Sequence, residues 1–449
     1  MANARSNGKA ALSGPRLVLL LSTLALILLG LVMVYSASVG EAVSNGSTDS
    51  SSYLLKQAVF AVIGGAGALA IWKLCPPYRW RGSWTWALLI ATIVLLGLTA
   101  LYGVATNGAQ RWIYIGGFSL QPSEFAKIAI VIVGARIYAD YRENMIEFRS
   151  MCTMMLLTVV APVGFLYLTQ SDLGTTLIIA VGLMAILWFG EAPLKVIFGI
   201  IGLGIVFVLL SVFGTSYRSD RMYFLDPWND GQNGAGLGYQ LIRSFYAFAQ
   251  GGIFGAGIGN STEKLTPLPE AETDFIYAII GEELGLVGTV LIVVLFLVFL
   301  VAGMLVANES EDPFARMLSG SLTVMIVFQA FLNMGCVTGV LPTTGKPLPF
   351  ISSGGSSMLA SLFMVGLIMT AAPQGGERTS VYDRRRENLR IVRAVDPAES
   401  TRFEPADPAP AFAGASGSLG ASRPAPAFAG ATRTPGRGRA NPSTSRRGR

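Results

Sequence analysis

Five carboxylates fall within the eighteen residues LPEAETDFIYAIIGEELG at 268–285: Glu270, Glu272, Asp274, Glu282 and Glu283. A long apolar run follows directly. Two other polar clusters border apolar runs. The segment NGAQRWIYIGGFSLQPSEFAK at 107–127 offers Arg111, Trp112, Gln121, Glu124 and Lys127, and QSDLGTT at 170–176 offers Asp172. Histidine is absent, which excludes Ser-His-Asp triads, HExxH zinc sites and any imidazole base. The three cysteines, Cys75, Cys152 and Cys336, give neither a disulfide framework nor a CxxC pair. Proton transfer in this chain therefore falls to carboxylates, Lys, Tyr or Cys.

The elements that must position these groups are membrane helices. The chain is 52% hydrophobic and only 13% charged, against about 25% charged for a soluble domain. A bilayer-spanning helix needs about 20 mostly apolar residues. Ten such runs are centred on 17–36, 53–73, 84–103, 121–139, 151–168, 173–190, 193–214, 276–307, 314–338 and 350–372. The first is too long for the h-region of a signal peptide and reads as a retained helix. Arg and Lys cluster before helix 1 and between helices 2 and 3 and helices 4 and 5, so the positive-inside rule puts both termini in the cytoplasm. The expected organisation is an all-α polytopic protein. It has a cytoplasmic segment (1–15), a ten-helix membrane domain (16–373) with a large extracytoplasmic loop (215–274) between helices 7 and 8, and a tail (374–449). From Glu377 onward the tail carries 14 Arg against 7 acids and repeats PAPAFAGA at 408–415 and 424–431. Its Pro, Ala, Gly and Ser cannot bury enough apolar surface to fold, and the expectation is disorder.

Ionisable groups at membrane depth are costly and by default mark a pathway or a site. Each cluster also has a plainer explanation. Asp172 ahead of LGTT suits a helix N-cap, Glu124 and Lys127 are spaced to pair along one helix face, and Asp274 could simply favour a helix dipole. On a continuous helix Glu282 lies about 12 Å beyond Asp274 on nearly the same face, with Glu283 nearly opposite; both read as buried support. GVLPTTGK at 339–346 is not a P-loop, since its glycines are misspaced and Pro347 stands where Ser or Thr is required. The 215–274 loop sets Arg218, Arg221, Arg243 and Lys264 among glycines and aromatics. Its SFYAFAQGGIFGAGIG stretch could re-enter the membrane, where irregular backbone is tolerated only against protein or a wet cavity.

Taken together, VMVYSAS, NGAQRWIYIGGFSLQPSEFAK, QSDLGTT, DPWND…GYQ, LPEAETDFIYAIIGEELGLVG and LPTTGKPLPFISSGGSS closely resemble the SEDS family (shape, elongation, division and sporulation) over about residues 15–373. The division member is the nearest in pattern, with the elongation and sporulation members as alternatives. The resemblance implies a peptidoglycan glycosyltransferase that polymerises lipid II at the outer face of the cytoplasmic membrane, at the septum for a division member. It implies Asp274 as the essential carboxylate, Lys127 near it, Trp112 as a further site residue, and a class B penicillin-binding protein (a transpeptidase) with other divisome proteins as partners. Ser353 replaces the usual aromatic, and Glu272 replaces the usual His or Arg, which makes the approach to Asp274 more acidic.

That chemistry fits the residues. Joining two lipid II units needs a base for a sugar hydroxyl and cations for a pyrophosphate leaving group, and no ATP. With no His, a carboxylate is the natural base. Arg111, Arg218, Arg221, Arg243, Lys264 and Lys346 are the outward supply of cations, and Arg can grip phosphate oxygens bidentately. Gln121, Ser352 and Ser353 are candidate polar contacts. A divalent cation (Mg²⁺ or Mn²⁺) could share the pyrophosphate charge, although hard cations need several oxygen ligands and the sequence offers no dedicated cage. The rival readings are a lipid II flippase using the same charged cavity, and a non-catalytic divisome scaffold.

Overall fold

The computed structural model describes residues 13–44, 50–106, 109–115, 118–213, 220–232, 234–236, 238–265 and 268–371. The N-terminal segment through residue 12 and the expected tail lie outside these residues. Each of the ten apolar runs coincides with a helix: α1 (Gly14–Ala37), α2 (Ser51–Leu74), α3 (Ser83–Tyr102), α4 (Pro122–Arg142), α5 (Phe148–Gln170), α6 (Leu173–Phe189), α7 (Leu194–Phe213), α9 (Ile276–Asn308), α10 (Pro313–Val337) and α11 (Gly355–Thr370), with the loop helix α8 (Tyr239–Gly251) between the seventh and eighth of them. Six of these (α1, α2, α3, α5, α9 and α10) are long and apolar enough to cross a membrane. Three more, α6, the Leu194–Val206 part of α7, and α11, are apolar but shorter. The helix α4 is long enough at 21 residues, but it carries Glu124, Lys127 and Arg136.

Burial sorts the helices into two groups. In α4 nearly every residue from Ser123 to Ala139 is buried, and α10 and α11 are buried almost throughout. Around this centre α4 packs on α6, α10 and α11, while α11 packs on α2 and α1 on α9. The outer helices keep large apolar side chains exposed, such as Val62, Ile90, Leu157 and Leu203, as a lipid solvent permits.

The expectation of an all-α chain needs one correction. Residues 107–120 do not extend α4 outward; a three-stranded antiparallel meander precedes it, β1 (Val104–Thr106), β2 (Ala109–Ile115) and β3 (Phe118–Leu120), with Val104 opposite Trp112 and Tyr114 opposite Ser119. The cause is local. Trp, Ile and Tyr at 112–115 favour a pleated strand, and Asn-Gly at 107–108 is a hairpin signal. Gln121 then takes the N-cap position and Pro122 opens the helix, where a missing N–H costs nothing.

The helix α9 is broken. Gly285 adopts φ 66°, ψ −162°, a region essentially reserved for glycine. The 252–257 loop fills the gap: Leu286 N–H donates to Gly252 O (2.9 Å), Val287 N–H to Ile253 O (3.2 Å), Ala256 N–H to Glu282 O (2.9 Å) and Gly257 N–H to Glu283 O (3.0 Å). The irregular backbone thus finds its partners within the protein, as a membrane requires. A Cβ at 285 would come 2.4 Å from Gly255 N. Gly285→Ala should therefore destabilise the protein by about 1–3 kcal/mol or more, read as a lowered melting temperature in detergent; an unchanged Tm would contradict this packing.

Candidate active site

The site forms where two loops meet. Three successive carbonyls ahead of α9 are held from across the fold: Glu272 O accepts from Ser353 N–H (2.8 Å), Thr273 O from Ser352 Oγ (2.6 Å) and Asp274 O from Asn333 Nδ2 (2.7 Å). The second amide hydrogen of Asn333 reaches Lys346 O at 2.8 Å, so one side chain of α10 ties the 274 segment to the 342–353 loop. Ser352 Oγ also accepts from Leu348 N–H (2.8 Å), and Gln57 Nε2 holds Ser352 O (3.0 Å). A small pocket opens here, lined by Asp274, Phe275, Asn333, Cys336, Thr344 and Lys346 among others.

Asp274 precedes the helix rather than riding on it, since α9 begins at Ile276. Burial pushes its carboxyl up to about 7, and the charge of Glu270 adds to this; Lys346 and Arg111 pull it back, while Asp172 opposes them. Asp172 combines two roles. It caps α6 by accepting from Thr175 N–H (3.0 Å) and Thr175 Oγ1 (2.8 Å), and it pairs with the buried ammonium of Lys346 at 2.7 Å. Burial alone would raise Asp172, but Lys346, Arg111 and the Thr175 N–H bring it down to about 2. Arg111, on β2, donates to Gln170 O (2.9 Å) and Ser171 O (3.0 Å) at the end of α5. Three segments far apart in sequence thus converge: Arg111, Asp172 and Lys346 all act on Asp274.

The remaining candidates sort differently. Lys127 makes no ion pair with Asp274. Its i,i+3 spacing pairs it with Glu124 (2.7 Å), both fully buried, and Nζ also reaches Gln329 Oε1 (2.6 Å). Gln329 Nε2 then holds Pro347 O (3.0 Å), so Lys127 reaches the site loop only indirectly. Gln121 N–H donates to Ser356 Oγ (3.0 Å), tying α4 to α11. Trp112 sits half-buried on β2.

Lys264 is not an outward cation either. It is buried, with Nζ 2.8 Å from Glu283 and 3.0 Å from Ser36 Oγ on α1. Lys346 is likewise buried and engaged by Asp172. Arg243 is partly exposed and lies 3.5 Å from Glu263. Arg221 lies on the short 3₁₀ turn Asp220–Leu225, and Arg218 lies outside the described residues.

Glu282 and Glu283 grip one loop rather than facing opposite ways. Glu282 accepts from Thr262 N–H (2.6 Å) and Ser261 Oγ, and Glu283 from Ser36 Oγ (2.7 Å), Lys264 and Ser261 N–H (3.4 Å). Their direction relative to Asp274 cannot follow a helical wheel, because Asp274 lies off the helix. Glu272 changes the expected acidity. Burial and a hydrogen bond with Glu41 push its carboxyl up to about 8, so the Glu41–Glu272 pair carries less negative charge near neutral pH than two free carboxylates would.

Gln329, Asn333, Ser36 and Asp230 carry structure that sequence reading missed. Gln329 and Asn333, polar residues within an apolar run, were the available signal. Asp230, in the DPWND motif, accepts backbone N–H bonds from Gln232 (2.9 Å), Gly234 (2.8 Å), Gly236 (2.8 Å) and Gly238 (3.1 Å). Burial opposes its ionisation, yet these donors hold it down at about 2. Asp230→Ala should open the 226–238 loop, seen as faster cleavage there by added protease; wild-type cleavage rates would contradict that role.

These features define a class: a multi-pass membrane protein whose partly buried carboxylate, acted on by Lys346 and Arg111, lies at one end of the helix bundle. The other end holds a separate ionic cluster, in which Arg81 contacts Asp140 (2.6 Å) and Glu143 (2.5 Å), and Glu191 contacts Arg142 (2.8 Å). The chain belongs to the FtsW/RodA/SpoVE family of cell cycle proteins, whose sequence profile matches residues 16–375. It is 38% identical over 360 residues to a relative in Geobacter metallireducens named probable peptidoglycan glycosyltransferase FtsW, spanning 79% of this chain and 94% of that one. It is 37% identical to stage V sporulation protein E of Bacillus subtilis, over 80% of this chain and 97% of the relative. It also superimposes on a chain from a solved peptidoglycan synthase complex that coordinates polymerization and crosslinking, with TM-score 0.62 and 26% identity, covering 78% of this chain and 96% of that one.

Proposed function

We propose that this chain is a peptidoglycan glycosyltransferase that polymerises lipid II at the outer face of the cytoplasmic membrane, with Asp274 as general base. The observation that carries this reading is the convergence of Arg111, Asp172 and Lys346 on the partly buried carboxyl of Asp274, which shares its pocket with Lys346. The acceptor sugar hydroxyl gives its proton to Asp274 as its oxygen bonds to the anomeric carbon of the donor. The bond from that carbon to the pyrophosphate breaks, and the pyrophosphate leaves with the electron pair. Lys346 and Arg111, the cations that act on Asp274, are the candidates to meet the charge that develops. Among the described residues no three His, Cys, Asp or Glu side chains converge as a metal site. A divalent ion would therefore rest mainly on the pyrophosphate oxygens, with one or two carboxylates at most.

The ten helices are read as ten spans with both termini cytoplasmic, and the partner as a class B penicillin-binding protein that crosslinks the product. Identities of 38% to the FtsW-named relative and 37% to the sporulation protein do not separate division from sporulation. We favour division. Depletion should then give filaments with normal side walls, whereas an elongation role predicts rounded cells.

A base is active only when ionised, so kcat/KM should rise about tenfold per pH unit below about pH 7 and level off above it. The stability effect has the opposite sign. The folded value lies above the ordinary carboxylate range of about 3.9, so this group favours the folded state at low pH, and that contribution is lost as pH rises through about 7. A profile with no ionisation between pH 6 and 8 would contradict the assignment. Purified protein given labelled lipid II with its partner should form glycan polymer. Transfer of lipid II across vesicles without polymer would favour the flippase reading.

A further inference from the structure

Lys346 is a buried lysine with more hydrogen-bonding capacity than its pairing uses. An ammonium carries three N–H donors, and Asp172 Oδ2 takes one at 2.7 Å. The aliphatic stem lies flat on the first turn of α6, where a Cβ at Gly174 would come 2.8 Å from Lys346 Cγ and 3.0 Å from Cε. Only a residue without a side chain lets the stem pass. The backbone of Lys346 is anchored as well: Asn333 Nδ2 bonds both Lys346 O and Asp274 O. Lys346 and Asp274 line one pocket, and a Cβ at Gly345 would stand 3.3 Å from Asp274 Oδ2. Stem, head group and backbone are therefore each fixed, at a residue adjoining Asp274.

The charges around this pair come from several elements. Arg111 on β2, Asp172 at the start of α6, Glu270 in the preceding loop and Lys346 in the 342–353 loop act on Asp274; Lys127 on α4, paired with Glu124, acts on Lys346. Of the other cations, Lys127 is paired with Glu124, and Arg111 places two of its five N–H donors on carbonyls. Lys346 is the cation that lines the same pocket as Asp274.

We propose that Lys346 is a positioning residue for Asp274: its ammonium, fixed by Asp172 and by the path over Gly174, stabilises the carboxylate form of Asp274 in the substrate-ready site, and Asp172 attenuates that effect. This rests on the reading of Asp274 as the base. The pair then acts as an adjustable charge, with Lys346 favouring ionisation and Asp172 opposing it.

The test is the pH dependence of kcat/KM for lipid II polymerisation by the full chain with its partner transpeptidase. Lys346→Met keeps the bulk of the stem and removes the charge, and should move the acidic midpoint up by about one pH unit. Asp172→Asn retains a capping side chain and should move it down, while Lys346→Arg should keep the wild-type midpoint. A merely structural role would lower the rate at every pH and leave the midpoint in place. Lys346→Met and Asp172→Asn predict shifts of opposite sign, so if one fails to fold, the sign of the other still decides the matter. Unmoved midpoints with an inactive Asp274→Asn protein would overturn this inference and leave the base reading standing; an active Asp274→Asn protein would overturn the base reading itself.

Discussion

Asp274→Asn should leave the protein folded and lower polymerisation by about 10²–10⁴-fold, the usual contribution of a positioned general base. The substitution is nearly isosteric. It keeps the backbone carbonyl that accepts from Asn333 and the neighbouring bonds from Ser352 and Ser353. It also removes a carboxyl whose ionisation is opposed by burial and by Glu270, so the melting temperature in detergent should hold or rise. That combination separates chemistry from folding. Normal glycan synthesis by the variant would remove Asp274 from the mechanism, and loss of both activity and stability would mark it as structural.

Lys127→Met should produce the largest loss of stability, about 3–5 kcal/mol, because it strands the Glu124 charge. Both side chains are 0% exposed, and Glu124 Oε1 has no hydrogen-bond partner even with Lys127 in place. Gln329 would lose the donor at its carboxamide oxygen, loosening the link to Pro347 and the site loop. The double variant Glu124→Gln/Lys127→Met removes the pair together and should recover most of the loss. Thermal unfolding in detergent measures both. Equal Tm values for Lys127→Met and wild type would show that the pair is not buried as described. Arg81 with Asp140, by contrast, is 22–23% exposed; removing such a partly solvated pair should cost far less.

Much of this architecture was legible because lipid imposes a simple rule: apolar runs long enough to span must be helical. Every predicted run is a helix, and the polar clusters at 107–127, 170–176 and 268–285 do supply groups that meet at one end of the bundle. The meander before α4 was obscured because β2 is a seven-residue strand, too short to stand out as an apolar run of membrane-spanning length. The break at Gly285 was hidden for a related reason. A single glycine in an apolar run is compatible with helix, and the loop that exploits it lies some thirty residues upstream. Pairing was the hardest to read. Lys264 and Lys346 look like free cations in sequence, yet their partners Glu283 and Asp172 lie 19 and 174 positions away, and only the fold brings them together. Glu124 with Lys127 was legible because helix geometry alone sets an i,i+3 pair.

The central claim is that the partly buried Asp274 carboxyl ahead of α9 drives sugar transfer on lipid-linked substrate. The most direct measurement is polymerisation of labelled lipid II by the purified chain with its partner transpeptidase in vesicles, comparing wild type with Asp274→Asn and following glycan products and lipid II sidedness in the same sample. The account predicts polymer from wild type, about 10²–10⁴-fold less from the variant, and equal lipid II sidedness for the two. Equal polymer from both proteins, or Asp274-dependent movement of lipid II across the bilayer without polymer, would contradict it.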